Sequence, residues 1–249
     1  MRSEIGQCKL CLKERPLRNS HVIPELAYKP IYDNKHQFLE LDGTTGRYGL
    51  PQKGFREPLL CEICEAIFQR HEDYFAKVWY PSDSLPNPVH DLYVVRASFD
   101  FEQFFRFHLS ILWRASVAHS PRFSAVTLGP FEEALRQFLL GTVASLEFEP
   151  SVHGMILRSP QTHEIWLGLL APTRSQYDTR YTFVFGGCSW YYCVSKQRDL
   201  LPESLRLKRP GTITMPVIDY TEESSVARAW EAWRKTPKWK EAFGQKKKK

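Results

Sequence analysis

The sequence predicts an α+β chain: a small N-terminal module over residues 1–80, a helix-plus-antiparallel-sheet domain over 89–244, and a short basic tail over 245–249. Three observations predict it. Two Cys-x-x-Cys pairs flank a polar, turn-rich insert, apolar residues recur at helical spacing from Phe101 to Ala115, and from about residue 150 the chain breaks into short β-branched and aromatic runs.

The first zone carries Cys8, Cys11, Cys61 and Cys64, with the turn formers LDGTTGRYG and PQKG between the pairs. Its last part, CEAIFQRHEDYFAKVW, puts Ile67, Phe68, Phe75 and Val78 on one face of an amphipathic helix starting near Cys64. PSDSLPNP, from Pro81 to Pro88, excludes helix interior and reads as a linker. DLYVVRASF then reads as a strand. Asp100 is the expected N-cap of a helix whose stripe of Phe101, Phe104, His108, Leu112 and Ala115 is widened by Phe105, Leu109 and Trp113. A second helix is expected from Pro130 to Leu140. VHGMILRS, HEIWLGLLA, RYTFVFGG, SWYYCVSK and TITMPVIDY read as strands of an antiparallel sheet. Thr221 to Phe243 returns to helix, broken or kinked at Pro237.

The N-terminus has no apolar stretch of signal-peptide length, and no segment approaches the roughly 20 uncharged apolar residues of a membrane span. A cytoplasmic protein without membrane association is expected. Of the net charge of +6, the segment from Arg234 onward supplies +7, eight Lys and Arg against Glu241, which leaves −1 for the rest. The basicity is therefore a tail, either a solubilising end or an arm for phosphates, and not a property of the whole chain.

Six cysteines are too few for a disulfide scaffold in a chain this long, and the two Cys-x-x-Cys pairs point to metal. Four thiolates fill the tetrahedral sphere of one zinc ion, so Zn2+ at Cys8, Cys11, Cys61 and Cys64 is expected to be structural. A segment with so little apolar content needs such an ion to fold. Cys188 and Cys193, in CSWYYC, read as buried thiols.

The run CKLCLKERPLRNSHVIPELAYK, followed by GFREPLLCEICEAIFQRHEDYF, resembles the zinc-containing HNH endonucleases. In that family a first Cys pair on a zinc knuckle precedes a His-Ile-Ile-Pro-like strand, and Leu-Cys-x-x-Cys leads into the final helix. His21-Val22-Ile23-Pro24 and Leu60-Cys61-Glu62-Ile63-Cys64 match this order over roughly the first third of the chain. The run is also similar to a variant group of bacterial HNH-like proteins with Ser-His-Ile-Ile-Pro, often associated with antiphage defence.

The resemblance implies a ββα, treble-clef-like module with His21 as general base and a divalent ion, Mg2+ or Mn2+, on the closing helix. Glu65 is the first candidate ligand for that ion, with His71 and Glu72 as alternates; Glu65 and His71 are also candidate catalytic residues. Glu65 and Glu72, seven residues apart, share a helix face at a separation of about 10 Å. The chain departs from the family at Ser20, where an acid commonly precedes the base, at Arg56, where Asn is common, and at Glu65, where His or Asn follows the last cysteine. His36 is a weak replacement for the missing middle residue.

Elsewhere, His108 and His119 read as core or interface residues of an apolar helix, and Gly186-Gly187 as a bulge or close-packing site. The aromatic run from Tyr181 to Tyr192 reads as sheet core before base-stacking platform. The function expected from the resemblance is a metal-dependent endonuclease hydrolysing phosphodiester bonds in DNA, in bacterial antiphage defence. Its tail and Lys53 would touch phosphates, and its larger domain would position DNA or bind a protein partner or a second copy. The rival is a catalytically inactive, zinc-stabilised module that binds nucleic acid or protein; a third possibility is an unrelated pocket in the larger domain.

Overall fold

The two cysteine pairs are built into a small sheet and the helix that leaves it. The computed structural model describes residues 4–38, 40–41, 48–80, 92–175, 180–195, 201–224, 226–228 and 231. Its first part comprises β1 (Ile5–Gln7), β2 (Glu14–His21), the single-turn α1 (Glu25–Tyr28), the short pair β3 (Glu40–Leu41) and β4 (Tyr48–Gly49), β5 (Arg56–Cys61) and α2 (Glu62–Trp79). β1, β2 and β5 form one antiparallel sheet in that order. Between β1 and β2 the chain reverses in a tight knuckle, where Leu12 N–H donates to the Cys8 carbonyl at 2.8 Å and Cys8 N–H to the Lys13 carbonyl at 3.0 Å. Gly54 leads into β5 because the Tyr28 ring lies on it: a Cβ there would sit 2.5 Å from Tyr28 Cε2. α2 buries Cys64, Phe68, Phe75 and Trp79 and stops just ahead of Pro81, a residue that disfavours helix in the position before it.

The remainder comprises β6 (Tyr93–Ala97), α3 (Phe101–Val117), α4 (Phe131–Leu140), β7 (Ser151–Arg158), β8 (Leu170–Arg174), β9 (Arg180–Phe185), β10 (Cys188–Cys193) and β11 (Thr212–Asp219). The Asp100 side chain caps α3 by accepting from Gln103 N–H at 3.1 Å. Six strands form a sheet in the order β6-β11-β7-β10-β9-β8.

Three expectations need correction. The sheet is mixed, not purely antiparallel, because β11 pairs parallel with β7, Val217 opposite Ile156. Leu207 N–H donates to the Val152 carbonyl on the way, and the chain then enters between β6 and β7 in the direction of β7. HEIWLGLLA is a regular strand only from Leu170: Ile165 makes a single antiparallel bridge to Arg158, and the Trp166 indole then folds over Gly168 and stacks on Tyr220 at 5.2 Å. Gly186-Gly187 is not a bulge but the two-residue turn of the β9–β10 hairpin, with φ of 62° and 76°, both of which favour glycine, and it is a close-packing site as expected, since a Cβ on Gly186 would lie 2.8 Å from Tyr80 Oη.

One cluster of buried side chains runs from Cys8 and Leu10 in the knuckle to Ile213 and Met215 in β11. α2 meets α3 through Phe75 stacked on Phe107 at 3.8 Å, and Trp79 reaches Trp190 at 4.9 Å while its indole N–H donates to the Gly186 carbonyl at 2.9 Å. Phe183, Phe185, Trp190 and Tyr192 are fully buried, as are the Cys188 thiol and, nearly, Cys193. The aromatic run is therefore core, and its rings are not open to bases. Among the described residues no helix is long and apolar enough to cross a membrane. The linker 81–88 and the tail 245–249 lie outside the described residues, as does most of the helix expected over 221–243.

Candidate metal centre and histidine niche

The four predicted cysteines converge. Cys8 and Cys11 come from the knuckle, Cys61 is the last residue of β5, and Cys64 lies in the first turn of α2. Their Sγ atoms all lie within 4.8 Å of one another, with Cys11 and Cys61 at 3.9 Å. Zinc with Zn–S bonds near 2.3 Å separates its sulfurs by about 3.8 Å, so the donor set fits an ion held by four thiolates. Without a cation the sulfurs conflict: a hydrogen bond from Cys64 holds the Cys8 thiol down to about 4, and the same contact pushes Cys64 up. Burial pushes Cys11 up as well. Zinc among them would remove the conflict by deprotonating all four.

His21 ends β2 opposite Arg56, so both side chains leave the hairpin on one side. Its Nε2 lies 2.6 Å from Glu25 Oε2 and accepts from Arg56 Nε at 2.6 Å, while Arg56 Nη2 donates to the same Glu25 oxygen at 3.0 Å. One ring nitrogen cannot serve both partners at once: bare, it accepts from Arg56; protonated, it donates to Glu25. Burial, reinforced by the Arg56 charge, holds the His21 pKa down to about 4. The ring is thus neutral in neutral solution, the state in which an imidazole can accept a proton.

Ser20 faces the other way, into the module, where its Oγ accepts from Leu60 N–H at 3.2 Å and donates to the Arg18 carbonyl at 3.3 Å. Glu65 Oε1 is buried with no hydrogen-bond partner among the described residues. Burial raises the Glu65 pKa, with Ser20 and the Arg114 charge pulling it back. Glu72, two turns along α2, belongs to Arg114: Arg114 Nη1 lies 2.8 Å from Glu72 Oε1 and donates to the His21 carbonyl at 2.8 Å. That guanidinium is 1% exposed and sits 5.2 Å from the centre of the Phe68 ring. His71 leaves α2 elsewhere and meets Gln103 Oε1 at 2.7 Å, near the start of α3. Gln103 and Arg114 are 11 residues apart on that helix, or about 16 Å along its axis.

Glu65, His71 and Glu72 are therefore not brought together, and the four cysteines are the metal-ligand group found among the described residues. Glu65 lies with Ser20 on the inner side of β2, and the carboxylate beside the His21 ring is Glu25, 2.6 Å from Nε2; Mg2+ on a single carboxylate depends on phosphate oxygens and water for the rest. Of the other singled-out residues, His36 is exposed and stacked on Tyr32 at 3.9 Å, and Lys53 is exposed. His119 lies beyond the end of α3, not within it, with its ring 71% exposed and its backbone N–H donating to Glu57 Oε2 at 2.8 Å. His108 is fully buried, its Nδ1 2.9 Å from Tyr192 Oη. Sequence reasoning missed Glu25 and Arg114. Both left a signal: Glu25 stands four residues after His21 behind a helix-starting Pro24, and Arg114 is the lone charge in the apolar run ILWRAS.

No family model matches the chain, and neither the curated proteins nor the solved structures compared with it gave a match.

Proposed function

We propose that this chain is a zinc-stabilised endonuclease of HNH type that hydrolyses phosphodiester bonds in DNA, with His21 as its general base. The observation that carries the reading is an imidazole held between Glu25 and Arg56 at the exit of a hairpin closed by four cysteines and followed by a helix. The strand–strand–helix order of β2, β5 and α2 supports the HNH resemblance, and the role in phage defence rests on that resemblance alone. In this reading Arg56 leaves His21 for a phosphate oxygen as DNA enters, since its fork suits two oxygens. The freed Nε2 takes a proton from water as the water oxygen bonds to phosphorus and the bond to the leaving oxygen breaks. Glu25, 2.6 Å away, then holds the imidazolium, and the Arg56 guanidinium offsets charge on the phosphate. Glu65 would hold Mg2+ or Mn2+ together with the substrate, the ion's contribution being to stabilise charge on the phosphate and the leaving oxygen.

A second reading, binding of nucleic acid or protein without cleavage, is favoured by the commitment of Glu72 to Arg114 and of His71 to Gln103. Plasmid DNA incubated with the protein in Mg2+, Mn2+ or EDTA, alongside His21→Ala, separates the two. Nicking that falls at least about 100-fold in His21→Ala is expected. Equal cleavage by both proteins removes the nuclease reading, and a gel shift with no cleavage by either establishes the second.

A further inference from the structure

His21 and Arg56 are the last rung of the β2–β5 ladder, and the rung before it is Ser20 opposite Glu57. Successive rungs face opposite sides of a sheet, so His21 and Arg56 look one way and Ser20 and Glu57 the other. Strand ends are where a sheet frays, and a hairpin that carries its functional pair on its last rung needs support from outside.

α3 gives that support at two points. In its last turn Arg114 Nη1 donates to the His21 carbonyl at 2.8 Å and lies 2.8 Å from Glu72 Oε1, while Nε and Nη2 donate to the Ser110 carbonyl and Oγ, each at 3.3 Å. All three guanidinium nitrogens are thus engaged, and the group is 1% exposed, which fixes its position. Just past the end of α3 the backbone N–H groups of His119 and Ser120 donate to the two oxygens of Glu57, at 2.8 and 3.3 Å. One contact grips β2, the other β5, and they fall on adjacent rungs. Glu25 of α1 also touches both His21 and Arg56, and Tyr32 Oη donates to its second oxygen at 3.0 Å. Arg114 stands 93 residues from His21, and His119 stands 62 from Glu57, so both supports come from outside the segment that resembles a nuclease.

We propose that the C-terminal end of α3 is the seat of the His21–Arg56 pair, with Arg114 and Glu57 as positioning residues that hold the last rung of the hairpin so that His21 Nε2 meets Arg56. The larger part of the chain is then a component of the site and not an accessory to it. The catalytic value of the seat rests on the nuclease reading above, whereas the seating of the pair does not.

The test uses the full chain with zinc bound. Arg114→Met is combined with Glu72→Gln, so that no carboxylate is left buried without its cation, and is set beside Glu57→Ala and Glu57→Gln, whose amide oxygen keeps one acceptor. Trp190→Ala controls for lost stability alone. The first readout needs no substrate. In neutral solution the His21 ring is uncharged, and with Nε2 accepting from Arg56 its proton lies on Nδ1, a tautomer reported by the ring nitrogen NMR shifts of a histidine-labelled chain. The double variant and Glu57→Ala are expected to mix the two tautomers, Glu57→Gln to keep most of the native signal, and Trp190→Ala to leave it unchanged. The second readout is plasmid cleavage, where kcat falls at least about tenfold in the double variant and in Glu57→Ala with a smaller change in KM, because a displaced base costs only in the transition state.

A native ring signal in both of those variants overturns the proposal. So does equal mixing in Trp190→Ala, which would reduce the seat to general stability, and so does an unchanged kcat in both where the native chain cleaves. A native chain that cleaves no DNA removes the nuclease reading, and the tautomer signal then decides the seating by itself. Should the double variant fail to fold, Glu57→Ala and its rescue by Glu57→Gln decide it.

Discussion

The thiol-closed hairpin and the β9–β10 layer are held by opposite means. At the hairpin, four sulfurs lie within 4.8 Å of one another, a spacing that suits one cation held by all four. In the β9–β10 layer Trp190 packs against His108 at 4.3 Å, Trp79 at 4.9 Å and Phe185 at 5.9 Å, and needs no ion. The hairpin depends on a few atoms at fixed spacing, the layer on many weak contacts at close range. Yet they share one continuous core, and Arg136 of α4 donates to the Leu10 carbonyl of the knuckle at 2.5 Å, so loss of either should be felt in the other.

Zinc removal gives the largest expected effect. Metal analysis should find one zinc per chain, and a strong chelator or Cys64→Ser should cost on the order of 10 kcal/mol of hairpin folding free energy. The melting temperature of the whole chain falls with it. A chelated chain that melts unchanged would place the hairpin's stability in its apolar contacts. Trp190→Ala is the matching cut in the other region, expected to cost about 3–5 kcal/mol by denaturant unfolding while zinc content stays at one per chain. Zinc loss in that variant would mean that the layer builds the hairpin.

Arg114 joins the two, reaching from α3 to Glu72 on α2 and to the His21 carbonyl. Arg114→Met should cost about 3 kcal/mol, because Glu72 is left charged and 13% exposed. Adding Glu72→Gln should restore at least about 1 kcal/mol of it, as a double-mutant cycle on a coupled pair requires. Strict additivity would show that the pair contributes nothing beyond packing.

What the sequence makes legible follows the same division. Spacing alone located the four thiols, the start of α2 to within two residues, the Asp100 cap of α3 and the buried Cys188 and Cys193. Features that depend on how distant elements lie against each other were not legible. Glu25 meets His21 only because α1 turns the chain back after Pro24, and Glu72 meets Arg114 only because α3 lies along α2. Helix periodicity put Glu65 and Glu72 on one face, but it carries no information about the cation that α3 delivers there. The parallel β11 and the Trp166 fold-back likewise depend on connections whose path no local pattern encodes.

Acid provides the finest test, because the two regions take up protons for different reasons. Burial holds the His108 pKa well below the ordinary 6.5, so the unfolded chain binds a proton that the folded chain refuses. Its contribution to stability is complete above about pH 6.5 and is lost as pH falls, by about 1.4 kcal/mol per unit. His21, held down to about 4, and His71, also lowered by burial, act in the same direction. The hairpin has a second acid response, since protonation of its thiolates releases zinc. Urea unfolding of the native chain and His108→Leu between pH 7.5 and 5, with zinc release followed in parallel, should show a flatter stability curve for the variant and an unchanged pH of metal release. Curves of equal slope would assign acid lability to the hairpin. A zinc-release midpoint that moves with His108→Leu would show that the aromatic layer sets the affinity of the thiols, through the core the two regions share.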